Sequence, residues 1–264
     1  MALNLLKQDP TKRSIKNKRK RLAWTNRFWS ACSLPSAGPP HSAVTLVQMS
    51  TAESPALTHL AAADPVLARL IAAGFAAQIT PTAHEDLYLE LLDAIISQQL
   101  SVKAAATISA RFTALFPRDY PAPELVLARP LEELRAVGVS RQKAGYLQAV
   151  AAFKQAGQLE YEVLSQLSDD ALADHLTQIK GVGRWTAQML LMFALERPDV
   201  FPELDLGIQN AIRRHYDLPE TGKALGRRMT EIAEAWRPYR TTASRLLWKS
   251  LSNSAPSTLS TPSG

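Results

Sequence analysis

The chain has 264 residues, a formal net charge of +6 and 46% hydrophobic content, enough to bury one or two sizeable cores. No apolar run approaches the ~20 residues needed to span a bilayer, so no membrane partner is expected. The single cysteine, Cys32, excludes a disulfide framework or a cysteine metal site, and the five histidines, His41, His59, His84, His175 and His215, lack metal-ligand spacing.

Residues 1–48 differ in kind from the rest. They hold nine of the 30 basic residues and one acidic residue, Asp9, followed by a Ser/Pro/Gly-rich stretch without periodicity. Disorder is expected there. Three origins fit: translation beginning at Met49, a flexible basic arm that touches phosphates, or a transit or nuclear signal. The remaining residues carry 21 basic against 23 acidic side chains, so the high isoelectric point is no evidence that the folded body binds nucleic acid. That argument must rest on where the cations sit.

From residue 49 to 252 the pattern is helix upon helix, without convincing strand alternation. Pro65 opens an apolar helix through about Ala76. Glu85 to Ile96 forms the next, with Tyr88, Leu91, Leu92 and Ile95 on one face. Ser101 starts a third, carrying Ala105, Ile108, Phe112 and Leu115. Leu131 to Val137 follows Pro130, and Ser140 caps a long helix through Phe153. Ser168 caps a helix whose Leu172, Leu176 and Ile179 share a face, and Ala187, Leu190, Leu191 and Ala194 mark another. Beyond Asp205 come helices to about His215, from Lys223 to Trp236 and from Pro238 to Leu251. The tail 253–264, rich in Ser, Pro and Thr, should be frayed. The fold class is therefore all-α, with two helical subdomains and a cleft between them.

The most informative segment is Lys180-Gly181-Val182-Gly183-Arg184-Trp185-Thr186-Ala187. Its Gly-x-Gly turn lies between two helical patterns and exposes amides at the start of the second. Such a helix start attracts anions, because its first N–H groups are unpaired and the helix dipole favours negative charge. A turn of this kind docks on a phosphate backbone without reading sequence. Twenty residues after Trp185, beyond the loop Pro198-Asp199-Val200-Phe201-Pro202-Glu203-Leu204, stands Asp205.

Hairpin, loop and aspartate at this spacing resemble the helix-hairpin-helix (HhH-GPD) DNA glycosylases. Residues 55 to 252 look like the 3-methyladenine DNA glycosylase II branch, in a short form without an N-terminal β-domain. The resemblance implies that residues 95–200 form a central helical domain with the hairpin and that the two ends of the chain combine into the other half. It also implies a damaged double-stranded DNA partner, base excision repair of alkylated purines, a monomer and a cytoplasmic, nucleoid-associated location; a targeting role for residues 1–48 would make that nuclear or organellar. No cofactor is required, and the cysteine-bound iron–sulfur cluster of endonuclease III-type relatives has no ligands here.

The resemblance makes Asp205 the catalytic carboxylate, where a helix cap would also be in place. Bifunctional relatives carry a lysine nucleophile at the hairpin position that Trp185 fills; indole is no nucleophile, so a base-releasing enzyme without strand cleavage is expected. Trp185, Tyr239 and Met189 fall on base-pocket positions, and Met189 departs from the aromatic residue usual there. Trp236 fits the pocket or the core. Gln99 aligns with the residue that fills the gap left by a flipped base, with Leu100 the neighbouring alternative and an ordinary turn the other reading. The amides of Gly181, Gly183 and Thr186 would hold one phosphate, and the carbonyls of Thr177, Ile179 and Val182 a sodium or potassium ion. Arg141 and Lys143 resemble a second backbone-contacting loop, or are plain solvated charges; Arg213, Arg214, Arg240 and Arg245 are weaker candidates. The competing function is a non-enzymatic hairpin protein that recognises damaged DNA, and a glycosylase for another damaged or mismatched base also fits.

Overall fold

A computed structural model of the chain describes residues 54–79 and 86–251. The readings of residues 1–48 and of the tail lie outside them. All regular elements among the described residues are helices, and none is long and apolar enough to cross a membrane.

In chain order these are α1 (Pro55–Ala63), α2 (Pro65–Ala72), a 3-10 turn (Phe75–Gln78), α3 (Leu87–Ser97), α4 (Val102–Ala114), a 3-10 turn (Pro117–Asp119), α5 (Pro123–Ala128), α6 (Leu131–Ala136), α7 (Arg141–Gln155), α8 (Tyr161–Leu164), α9 (Asp169–Thr177), α10 (Arg184–Phe193), α11 (Leu206–Tyr216), α12 (Gly222–Glu234) and α13 (Arg240–Lys249). The caps explain the starts. Ser101, Ser140 and Ser168 accept from the amides of Ala104, Lys143 and Ala171 at 3.4, 3.2 and 3.3 Å. Helix α2 stops short of Ala76 because Gly74 takes a left-handed φ of 82° and turns the chain.

The chain divides into two compact units. One contains Tyr88–Ser165 together with Ile179–Gly181. Its spine is α7, which buries Ala144, Leu147, Val150 and Ala151 and carries α5 and α6 against its side. Phe112 and Phe116 meet edge to face at 5.2 Å, and the Tyr88 hydroxyl donates to the Pro121 carbonyl at 2.7 Å, satisfying a phenol buried to 1% exposure.

The other unit contains the described residues through Leu87, Gln166–Gln178, and those from Val182 onward. Here α13 packs on α1, α2 and α11, and α9 packs on α10. The expectation that both ends of the chain combine is met. The hairpin helices, however, group with this half rather than with a central domain of residues 95–200. The reason is burial: every residue of α10 from Thr186 to Phe193 is enclosed, and Phe193 stacks on Trp248 of α13 at 5.6 Å. Enclosing a Leu, Met or Phe side chain contributes about 1.5–3 kcal/mol, and α9, Phe201 and Trp248, which meet α10, belong to this unit.

Candidate active site

Asp205 has the geometry of a fixed carboxylate. Its backbone N–H donates to the Pro202 carbonyl at 3.0 Å, closing the loop immediately before α11. Oδ1 accepts from the Ile208 amide at 2.8 Å, so Asp205 is the N-cap of α11. The same oxygen accepts from Trp248 Nε1 at 2.7 Å, and Oδ2 accepts from Trp185 Nε1 at 2.9 Å. The side chain is buried, and each of these partners is a donor. Two indoles and one amide thus aim N–H groups at one negative charge, and charge-assisted bonds of this kind are roughly twice as strong as neutral ones.

The loop is built to hold that aspartate. Gln188, buried on α10, donates to the Phe201 carbonyl at 3.1 Å and to Glu203 Oε2 at 2.9 Å. Gln209 donates to the Glu203 carbonyl at 3.0 Å. Further back, Asp199 takes Arg240 Nε at 2.8 Å and Arg237 at 2.6 Å, while Val200 N donates to Thr241 Oγ1 at 3.0 Å. Loop and α13 are therefore stitched along several residues. Gly207 sits in a tight place: a Cβ there would stand 3.0 Å from Asp205 Oδ1 and from Trp248 Nε1, so one of them would have to yield.

The residues singled out from sequence divide by environment. Trp185 is half-buried, and its indole edge is fixed on Asp205. Tyr239 is half-buried as well and meets the His59 ring edge-on at 5.5 Å. Met189 is 1% exposed and packs inside α10's enclosed face rather than lining open space. Trp236 is a correction: it is wholly buried, its Nε1 donates to Asp64 Oδ2 at 2.8 Å, and it packs edge-on against Phe201. A ring with no exposed surface is core, not pocket.

The cations also need revision. Lys143 points inward; its Nζ donates to the carbonyls of Ile96 and Gln98 at 2.7 and 2.6 Å, and burial lowers its pKa from the ordinary lysine value. It is not a solvated phosphate ligand. Arg240 is held by Asp199, and Arg245 lies over the Phe193 ring at 5.3 Å. Arg141, Arg213 and Arg214 are exposed. At the hairpin, Arg184 is turned back on Asp170 and Asp174 at 2.9 and 3.4 Å.

Gly181 has φ 97°, and Gly183 is the N-cap of α10. Helix α10 therefore starts without an N-cap side-chain bond. Gln99 is exposed with φ 59°, in the four-residue break between α3 and α4, and Leu100 N donates to the Ser97 carbonyl at 3.1 Å. Among the described residues no group of acidic, His or Cys side chains is arranged to hold a metal.

Sequence reasoning missed Trp248, Gly207 and Gln188. A buried indole requires an acceptor, and among the described residues the two buried aspartates, Asp64 and Asp205, each receive an indole.

Comparison with known proteins adds an independent line. The family model described as HhH-GPD superfamily base excision DNA repair protein matches residues 92–238. DNA-3-methyladenine glycosylase 1 of Schizosaccharomyces pombe is 39% identical over 164 residues, covering 61% of this chain and 71% of that protein. A putative DNA-3-methyladenine glycosylase of Bacillus subtilis is 34% identical over 171 residues; the match covers 62% of this chain and spans 59% of that relative's length. Among solved structures, the S. pombe 3-methyladenine DNA glycosylase in complex with abasic DNA superposes with a TM-score of 0.64 at 35% identity, over 74% of this chain and 96% of that one. A Bacillus halodurans DNA-3-methyladenine glycosidase gives a TM-score of 0.67 at 30% identity, over 76% and 91%.

Proposed function

We propose that this chain, which belongs to the HhH-GPD superfamily of base excision DNA repair proteins, is a monofunctional DNA glycosylase that hydrolyses the N-glycosidic bond of alkylated purines. The observation that carries the reading is Asp205, whose two oxygens are fixed by Trp185, Trp248 and its own helix start.

Cleavage of a glycosidic bond builds positive charge on the sugar. A carboxylate already oriented in a partly desolvated site stabilises that charge without reorganising when the reaction occurs. Asp205 supplies this, and it can orient or deprotonate the attacking water. Purines methylated at N3 or N7 carry their own positive charge, so they leave without strong acid catalysis. An electron-rich ring suits them: a stacked base gains about 1–3 kcal/mol on an aromatic face, and a desolvated cation adds about 2 kcal/mol. Trp185 and Tyr239, both half-buried, are the residues assigned to that face.

The opening amides of α10, with Gly181 and Gly183, hold a phosphate of the damaged strand, and Gln99 fills the gap that the flipped base leaves. The carbonyls of Thr177, Ile179 and Val182 are neutral oxygen donors of the type a hard monovalent cation takes, and a sodium or potassium ion there adds positive charge beside the DNA backbone. The DNA is double-stranded and the enzyme acts as a monomer in the cytoplasm.

Duplex DNA with a single 7-methylguanine tests the reading. The protein should leave an abasic site that breaks only on alkali treatment, and borohydride should trap no covalent complex. Strand scission without alkali, or a trapped complex, would mean that a lysine attacks the sugar and that Trp185 does not mark a lyase-free enzyme.

A further inference from the structure

Helix α3 ends at Ser97, and its last carbonyls have no partner within the helix. Lys143, from the first turn of α7, reaches back to this end and donates to the carbonyls of Ile96 and Gln98. A cation at a helix C-terminus also complements the dipole. Gln98 carries the connection onward, its Nε2 donating to the Gly181 carbonyl at 3.0 Å. Gly181 is pinned in turn. Its φ of 97° suits glycine alone, and a Cβ there would lie 2.3 Å from Cδ2 of Tyr146, one turn beyond Lys143 on α7. One face of α7 thus anchors the exit of α3 through Lys143 and the hairpin turn through Tyr146, with Gln98 bridging the two.

Between these fixed points stands Gln99, exposed and in the left-handed region at φ 59°. A non-glycine residue holds that conformation only where its surroundings dictate it. The carbonyl immediately before it, that of Gln98, is the one Lys143 grips.

We propose that Lys143 is a positioning residue: by fixing the carbonyls of Ile96 and Gln98 it locks Gln99 in the conformation that presents it as the wedge, and through Gln98 it ties the wedge to the hairpin turn. The proposal rests on the glycosylase reading and on Gln99 as the residue that replaces the flipped base. Burial of the ammonium group, which depresses its pKa, agrees with a lysine that has exchanged water for carbonyl ligands.

A wedge matters only when the base must be extracted from a pair. Lys143→Met and Gln98→Leu are therefore compared with wild type on 7-methylguanine opposite cytosine, and on 7-methylguanine in single-stranded DNA, where no pair has to be broken. Both variants should lose roughly tenfold or more in single-turnover release from the paired site and keep the wild-type rate on the single strand. Equal losses on both substrates would show a merely structural role and overturn the proposal, as would wild-type rates on both. Gln98→Leu makes the same prediction should Lys143→Met fail to fold. Wild-type inactivity on both substrates would overturn the glycosylase reading, and this proposal with it.

Discussion

Asp205 and Asp64 are both buried, both cap a helix and both receive an indole N–H, yet their surroundings set them to different tasks. Asp64 is saturated: Oδ1 accepts from the amides of Val66 and Leu67, and Oδ2 from Tyr216 and Trp236, itself enclosed. Asp205 instead holds Oδ2 against a half-buried ring, Trp185, rather than a wholly enclosed one. Trp248 fixes the other oxygen. Trp248→Phe removes that donor while preserving the ring that stacks on Phe193. A hydrogen bond to a charged group contributes about 1.5–3 kcal/mol, so base release should fall on the order of tenfold to a hundredfold. Single-turnover rates measured beside thermal unfolding separate this from lost stability. An unchanged rate would mean that Trp248 does not orient Asp205. Gly207→Ala should act in the same direction, because its methyl group would press on both partners.

At the scale of elements, α2, α11 and the residues after α12 are joined through the single side chain of Asp64. Burial and the Asp64 hydrogen bond push the Tyr216 hydroxyl pKa well above its ordinary value, so it remains a donor. Asp64→Ala strips the cap from α2 and leaves Tyr216 and Trp236 without their acceptor. A lost cap costs about 1 kcal/mol and each orphaned buried donor about 1–3 kcal/mol. Chemical denaturation should therefore show a loss of about 3 kcal/mol or more; a loss below about 1 kcal/mol would show that the three elements are held elsewhere. The starts of most long helices were legible, because Ser101, Ser140, Ser168 and Asp205 are caps with a local mechanism. The short α5 and α8 were not, since one or two turns cannot display a period. Nor was the allegiance of α10 legible. Its pattern showed one apolar face, but Gln188 and Thr186 are buried too, and only the tertiary partners of Gln188 make that tolerable.

At the scale of the whole molecule, the sequence exposed the parts that depend on chain order and concealed those that depend on long-range contact. The hairpin turn, the loop and Asp205 lie within 25 residues and were readable together. Trp248 stands 43 residues beyond Asp205, and Lys143 stands 45 from the Gln98 carbonyl it grips. Nothing in their spacing announces the pairing. The same limit hid where charge goes: Lys143, Arg240 and Arg245 were candidates for phosphate contact, and folding commits them to carbonyls, to Asp199 and to an aromatic ring. With a body of slightly negative net charge, the proposed DNA contacts reduce to helix-start amides and a few exposed arginines, so affinity should fall only shallowly with salt, because few phosphates are neutralised by cations. The most direct test of the account compares wild type with Asp205→Asn on duplex DNA bearing one 7-methylguanine, measuring base release and DNA binding on the same preparation. The substitution keeps the shape and removes the charge, so release should drop by on the order of a hundredfold or more while binding stays near wild type. Near-normal release by Asp205→Asn would contradict the assignment of that carboxylate to the chemistry, and binding without release by either protein would favour a hairpin that serves recognition alone or a different damaged base as substrate.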